Sequence, residues 1–443
     1  NILKFICLSM HYGIKLVLRP VMGIEEAKKE IAKCARCGKC RSVCPVFLET
    51  GDETRVARGR ISLAEAIFQG EIFYTPELKD YIYSCKKCMR CQAICPSDVD
   101  FSEIIDALLE GIEKNMGTPL IARFILRYLL PRRNLFDFAL RIASIGQKFL
   151  PGERRGSLRH LPLFFMGKRW VPSLATETAL NKYRHTKKLK KPKLRVGFFV
   201  GCMTNYVYPN IADSLVNVLN RLDIEVVVPS QQVCCGIPAK SLGDMTAAKK
   251  LAERNREVFE AENLDAIVSG CGTCTLTIKR DYLKMLGESW RPMHDKIYDI
   301  NVFLEKFTKY ETEPLDDTVT YHDPCHLRWG QDIVKEPRNV IKRCATFKEM
   351  ESPEDCCGGG GIFSLIYRDL SMKIGEHKIR AVEKSGAEKV VTSCPGCVLQ
   401  LSDLAASKNL PVETIHVVEL LERTLKENGM EGAAVSEEAE VGS

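Results

Sequence analysis

The sequence predicts a multidomain chain in which an α-helical unit precedes an α/β unit that is present twice and built on parallel sheets. Three observations predict this. Cys34-Ala-Arg-Cys37-Gly-Lys-Cys40-Arg-Ser-Val-Cys44-Pro45 returns with the same spacing as Cys85-Lys-Lys-Cys88-Met-Arg-Cys91-Gln-Ala-Ile-Cys95-Pro96, in helical surroundings. From Leu194 onward, short β-branched runs alternate with amphipathic segments, the texture of parallel sheets flanked by helices. The cysteines of that half also repeat: Cys202 and Cys325, Cys271 and Cys394, and Cys274 and Cys397 are each separated by 123 positions, and Cys234 and Cys356 by 122.

The chain has 443 residues, and its 20 cysteines are clustered: 18 fall into four groups, with only Cys7 and Cys344 outside. A chain of this length is a prior for about three domains and needs no disulfide staples. Thiols in such number point to a reducing compartment, and so to the cytoplasm. The net charge of +7 is modest, and the basic run Lys187–Arg195 reads as a solvated linker. It lacks interleaved aromatic residues, which argues against a nucleic-acid partner. No segment reaches the ~18 apolar residues of a membrane helix, so any membrane association is expected through a partner subunit.

Taken in order, residues 1–21 are expected to be an extension without chemistry. Ile14–Leu18 is too short to span a membrane, no cleavage site follows, and Met22-Gly23 before a helical stretch reads as a natural start. Residues 22–112 form the helical unit. Cysteines at i, i+3 and i+6 can wrap one inorganic cube, and the Cys-Pro that follows belongs to the other cube in two-cluster ferredoxins. On that rule Cys34, Cys37, Cys40 and Cys95 hold one [4Fe–4S] cubane, and Cys85, Cys88, Cys91 and Cys44 hold the second. Zinc sites are built from Cys or Cys/His pairs instead, and a disulfide framework suits a small secreted domain. The 40 residues between the groups exceed a minimal ferredoxin, predicting a helical dicluster ferredoxin domain. Ile61–Gln69 is expected as a helix closed by Gly70, and another is expected after a Ser102 N-cap, ending at Gly111. Arg55–Arg60 is either a solvated helix start or a positive charge beside a cluster.

Residues 113–192 read as a helical basic linker. Within it Pro119–Leu150 forms two amphipathic helices broken at Pro131, expected to pack on their own protein, with a partner or an anionic membrane surface as the alternative. Residues 193–308 and 309–425 are the two α/β copies, and 426–443 a disordered tail. Strands are expected at Val196–Val200, Glu225–Val228, Ala266–Ser269, Val319–His322 and Val390–Thr392, with helices at Ile211–Leu222 and Thr246–Ala261. In each copy two adjacent cysteines (Cys234-Cys235, Cys356-Cys357) precede Gly236 or Gly358, which permit the turn that brings both thiols to one centre. Cys271 and Cys394 stand at strand ends, in Cys-x-x-Cys loops that open helices, where backbone N–H groups can face an anionic cluster and open sheets place ligands. A metal cluster in each copy follows, with buried structural cysteines or zinc as the alternative. The run Gly358–Gly361 lacks the Lys-Ser/Thr of a phosphate loop and reads as a turn.

These motifs, over about residues 30–425, resemble the cysteine-rich, or CCG-domain, iron–sulfur oxidoreductases. That family includes the catalytic D-type subunit of heterodisulfide reductase and the iron–sulfur subunits of glycolate, lactate and glycerol-3-phosphate dehydrogenases. The resemblance implies non-cubane [4Fe–4S] clusters, one held by Cys202, Cys234, Cys235, Cys271 and Cys274, the other by Cys325, Cys356, Cys357, Cys394 and Cys397. It implies an oxidoreductase subunit that passes electrons from cubanes to CCG clusters and performs disulfide/thiol chemistry. The alternative is a relay from a flavin-dependent dehydrogenase to quinone or an electron-transfer flavoprotein. The intact Cys394-Pro-Gly-Cys397 favours the first, and Arg58-Gly59-Arg60-Ile61 the second. The second copy is expected to be catalytic, with His322 and His326 as proton donors or cluster-sulfur ligands, though a strand-end histidine is more often satisfied by hydrogen bonds. No Gly-x-Gly-x-x-Gly opens a helix, so no flavin or nicotinamide is expected on this chain. A flavoprotein dehydrogenase, a b-type cytochrome subunit, or both are expected as partners.

Overall fold

In a computed structural model of the protein, residues 23–146, 154–155, 158–163, 167–184 and 189–430 are described. The expected extension over 1–21 and the residues from 431 lie outside them.

The helical unit comprises α1 (Ile24–Ala32), α2 (Pro45–Thr50), α3 (Ala57–Phe68), α4 (Pro76–Tyr83), α5 (Arg90–Ala93) and α6 (Phe101–Met116). Their apolar faces meet in a core that includes Ile61, Ala64, Ile82, Ile104 and Leu108, with Cys34, Cys40, Cys85, Cys91 and Cys95 packed on its edge. Three helix boundaries differ from expectation. Asp100, not Ser102, caps α6: its carboxylate accepts the Ser102 N–H at 3.0 Å, and Ser102 itself is buried. Gly111 does not end that helix, because its bare Cα is what admits the Tyr74 hydroxyl, which would lie 1.9 Å from a Cβ there. α3 likewise begins at Ala57, ahead of Ile61.

α7 (Leu120–Phe124) runs into a π turn over Ile125–Leu129, and α8 (Arg133–Gly146) follows the break at Pro131. The linker is not purely helical, however. Strands β1 (Arg154–Arg155), β2 (Leu158–Leu163) and β3 (Gly167–Pro172) pair antiparallel in the order β1-β2-β3. The alternation that marks such strands is weak in so basic a stretch.

Each α/β copy contains a four-stranded, fully parallel sheet. The first has β4 (Leu194–Phe198), β5 (Ile224–Val227), β6 (Ala266–Ser269) and β7 (Ile297–Asp299), in the order β5-β4-β6-β7. The second has β8 (Leu315–His322), β9 (Ala345–Phe347), β10 (Lys389–Thr392) and β11 (Glu413–His416), in the order β11-β10-β8-β9. Read from the second strand of each, both orders are 2-1-3-4, so the duplication extends to topology. The two sheets share one apolar core, in which Leu215, Val268 and Phe303 meet Val319, Tyr321, Val417 and Leu421. The last helix, Val417–Glu427, runs past the expected boundary at 425 because its buried Leu421, Thr424 and Leu425 complete that core.

Candidate metal centres

In the helical unit the cysteine triples lie in loops with left-handed turns at Arg36 and Gly38, and again at Lys87 and Met89. The sets expected from spacing line two cavities that have Cys91 in common. One, of ≈ 450 Å³ measured to its solvent mouth, has Cys34, Cys37, Cys40 and Cys95 in its wall, together with Arg58. The other, of ≈ 390 Å³, has Cys44, Cys85, Cys88 and Cys91, with Arg60 and Lys86. Four soft donors around a cavity that no side chain fills fit a cubane, the last cysteine of each motif crossing to the other set. Burial pushes the Cys88 thiol up to about 11, so the free thiol holds its proton and metal loading must release it. Arg55 and Arg58 are partly exposed and pair with Asp52, Asp80 and Glu53. Arg60 is buried, its Nε donating to the Tyr81 carbonyl and its Nη2 to Ser84 Oγ, both at 2.9 Å, and its charge reaches Cys44. Arg58 and Arg60 thus line the two cavities, and Arg55 does not.

The ten remaining clustered cysteines meet where the sheets point. Cys202 follows β4 and Cys271 follows β6, and these neighbouring strands flank the point where strand order reverses, the place where open α/β sheets bind ligands. Cys325 and Cys394 stand in the same positions after β8 and β10. Cys271 and Cys394 are the N-cap residues of the helices Gly272–Leu276 and Pro395–Ser407, and Cys202 and Cys325 begin the helices Cys202–Tyr206 and Cys325–Gln331. Positive helix ends thus converge on each centre. Gly236 and Gly358 adopt φ of +98° and +84°, and a Cβ at Gly358 would lie 2.1 Å from the Ser371 carbonyl oxygen.

The thiols form one nearly continuous run. Cys202 hydrogen-bonds Cys234, which meets Cys235, and Cys235 Sγ is 3.7 Å from Cys274 Sγ, itself bonded to Cys271. Cys271 Sγ then lies 4.0 Å from Cys394 Sγ, joining the copies. Beyond it Cys394 meets Cys397, Cys397 Sγ is 3.9 Å from Cys357 Sγ, and Cys357 meets Cys356. Hydrogen bonds from neighbouring thiols hold Cys235, Cys357 and Cys394 well below the usual thiol range, a donor set ready for a soft metal. Cys325 stands apart, with burial raising its pKa and Cys88 of the helical unit as its foremost charged neighbour.

The loop of the second cysteine triple is wedged against these centres. Lys86 Nζ donates to the Gly359 carbonyl and sits 4.3 Å over the Phe363 ring. Arg90 Nη1 donates to Asp355 at 2.6 Å. His326 joins three parts of the chain. Its Nε2 donates to the Lys87 carbonyl at 3.1 Å, between Cys85 and Cys88, and its Nδ1 accepts from Thr273 Oγ1 at 2.9 Å, between Cys271 and Cys274. Burial keeps it neutral. His326 is therefore satisfied in the way expected of a strand-end histidine, and His322 is not. His322 is buried, no oxygen or nitrogen pairs with either ring nitrogen, and one of them faces the Cys357 thiol, within 4.8 Å of the Cys357 and Cys397 sulfurs.

Sequence reasoning missed several residues of this region. Lys86 and buried Lys378, whose Nζ donates to the Ser352 carbonyl at 2.6 Å, add positive charge near Cys356 and Cys357. Lys240 is buried between Asp106 at 2.7 Å and Asp281 at 3.0 Å, tying the helical unit to the first copy. A cavity of ≈ 370 Å³ beside Cys202 and Cys234 is roofed by Leu130, Arg133 and Phe136. The 123-residue offset could have flagged one contrast, since it places Phe199 opposite His322. The lysines carry no such signal.

Comparison with known proteins agrees with this geometry. The cysteine-rich domain family "CCG" matches residues 196–279 and 319–402, and the "4Fe-4S dicluster domain" family matches residues 30–99. A probable glycolate oxidase iron–sulfur subunit of Bacillus subtilis is 29% identical over 88% of this chain and 93% of its own. A subunit of the fumarate reductase (CoM/CoB) of Methanothermobacter marburgensis is 28% identical over 89% of this chain and 72% of its own. The D-type subunit of the dihydromethanophenazine:CoB–CoM heterodisulfide reductase of Methanosarcina acetivorans is 25% identical over 89% of this chain and 94% of its own.

Proposed function

We propose, from the premise that the chain belongs to the CCG-domain iron–sulfur oxidoreductase subunits, that its paired cysteine-rich sites carry out disulfide/thiol chemistry. Cys34, Cys37, Cys40 and Cys95 would hold one cubane, and Cys44, Cys85, Cys88 and Cys91 the other. Cys202, Cys234, Cys235, Cys271 and Cys274, and in the second copy Cys325, Cys356, Cys357, Cys394 and Cys397, would hold non-cubane clusters. When bound, such clusters supply one-electron storage and, in the cysteine-rich sites, a metal surface for substrate sulfur. The overall reaction is R–S–S–R′ + 2 e⁻ + 2 H⁺ → RSH + R′SH, the electrons coming from a partner subunit.

The observation that carries this reading is the 4.0 Å approach of Cys271 and Cys394, with both Cys-x-x-Cys loops intact. Two complete donor sets that share a seam suit a two-electron substrate whose halves part to either side. His322, buried beside Cys357 and Cys397 without an oxygen or nitrogen partner, offers the proton that a leaving thiolate requires.

A second reading is a relay subunit for a flavin-dependent 2-hydroxy-acid or glycerol-3-phosphate dehydrogenase, delivering electrons to quinone or an electron-transfer flavoprotein. It is favoured by Arg58-Gly59-Arg60-Ile61, with Arg60 buried beside the cubane cavity, and by the glycolate oxidase relative. A flavoprotein dehydrogenase partner fits this reading, and a b-type cytochrome partner the first.

Anaerobic EPR of the purified protein, with iron and sulfide counted on the same sample, decides between the two. A paramagnetic state that forms only on oxidation in the presence of a thiol supports disulfide chemistry. Signals of reduced cubanes that no thiol perturbs would assign the relay. Zinc without acid-labile sulfide would overturn both.

A further inference from the structure

We infer that α7 and α8 seat this chain directly on an anionic bilayer surface, with the first cysteine-rich copy facing the lipid. Among the described residues, thirteen large apolar side chains are exposed, and eight of them lie within 120–145. On α7 and its π turn these are Leu120 (80% exposed), Ile121, Phe124 and Tyr128. On α8 they are Leu135, Phe138 (64% exposed), Ile142 and Ile145, a stripe at i, i+3, i+7 and i+10. The opposite side of α8 is already anchored: Phe136 packs edge-on against Tyr206, and the Tyr206 hydroxyl donates to Asp137 at 2.7 Å. The outward stripe is therefore a second apolar face that the protein's own core does not use.

Charge selects the occupant. Residues 120–172 contain eleven lysines and arginines against Asp137 and Glu153, a net +9, whereas the whole chain carries only +7. Within the described residues 120–146, Arg123, Arg127 and Arg133 pair with Glu113, Asp244 and Asp137, and Arg132 and Arg141 are exposed on the same segment as the apolar stripe. A protein partner would need one of these features, but an anionic lipid surface accepts both, taking apolar side chains into the acyl boundary and arginines among the phosphates. The ring pair Phe124–Tyr128, stacked at 5.5 Å with Arg132 3.9 Å above Tyr128, has the amphipathic makeup of interfacial anchors. No described helix is long and apolar enough to cross a membrane, so the mode is interfacial. Leu130 and Phe136 also roof the cavity at Cys202 and Cys234, which brings that copy closest to the bilayer.

The test is flotation of the anaerobically purified holoprotein with phosphatidylglycerol-containing vesicles, and in parallel with phosphatidylcholine vesicles. Binding to the anionic vesicles that weakens with salt is expected, and it should fall at least about tenfold in the Phe138→Glu/Ile142→Glu variant. Both positions are exposed, so cluster absorbance and circular dichroism should be unchanged. Arg132→Glu/Arg141→Glu should lose the preference for anionic lipid while leaving the fold intact. Absence of vesicle binding, or binding indifferent to these variants, would overturn the inference. So would lipid-free self-association abolished by the same changes, which would make the face a contact between copies.

Discussion

The two cysteine-rich copies share strand order, cysteine spacing and turn geometry, yet their surroundings differ. The second copy faces the helical unit, with Lys86 on Gly359, Arg90 on Asp355 and Cys88 beside Cys325. The first also packs on the helical unit, through Lys240 on Asp106 and Gly243 against Leu109, but its thiols Cys202 and Cys234 meet a cavity under Leu130 and Phe136 instead. Side chains at matching positions diverge accordingly. His322 stands where the first copy has Phe199, which stacks on Phe259 at 5.8 Å. Lys378 stands where the first copy has Asn255, whose amide accepts from Val233 N–H and donates to Tyr282. At these two positions the second copy therefore holds a lysine and a histidine, and the first an apolar ring and a hydrogen-bonded amide. Duplication preserved the donor sets, and docking of the helical unit made the sites inequivalent.

Removing one donor from each copy would test that inequivalence most severely. Cys235→Ala and Cys357→Ala should each lose about four iron atoms per chain. Only Cys357→Ala, which also strips the thiol facing His322, should change the pH response of the remaining EPR signals. Equal responses would make the copies interchangeable.

The grip on the helical unit differs as well. The first copy uses Lys240 between Asp106 and Asp281, and the second has apolar Ile362 near the matching position. Lys240→Met leaves Asp106 to Lys87 and Asp281 to Arg280 and should cost about 1.5–3 kcal/mol in denaturant unfolding. The flanking lysines Lys240 and Lys87 hold Asp106 well below the ordinary carboxylate range despite its burial. Its contribution to stability is therefore complete above the unfolded value, ~4, and is lost as pH falls through the lower folded value. Wild-type stability should decline in that acid window, and the Lys240→Met variant should decline less.

Exchange at His322 is a milder change. His322→Phe removes a buried imidazole whose polar neighbours are the Cys357 and Cys397 thiols and should change apoprotein stability by no more than ~1 kcal/mol. The same variant should abolish any thiol-dependent EPR state while keeping its iron. A variant that retains that state would make the histidine structural. Smallest of all, Lys378→Met should lower the midpoint potential of the second copy, not the first, by on the order of 50–100 mV in a redox titration, from one charge at an effective dielectric of ~20.

Cysteine spacing by itself determined the four cysteine groups and the duplication, because metal ligation demands fixed intervals that survive any change in packing. Alternating texture determined the parallel sheets, since strand and helix periods are local properties. Helix ends were less legible: Gly111 reads as a terminator, and only the Tyr74 hydroxyl lying against it shows why the helix continues. The strands of 154–172 were hidden for a similar reason, because a strongly basic stretch masks a period of two. Tertiary structure alone decided that Cys271 meets Cys394, that His326 bonds to oxygens while His322 faces thiols, and that Lys86, Lys240 and Lys378 surround the sites. These are relations between residues tens to hundreds of positions apart. Sequence sets each element's own preferences, but long-range docking decides which buried charge finds a partner, and in this chain that is what distinguishes two otherwise equivalent copies.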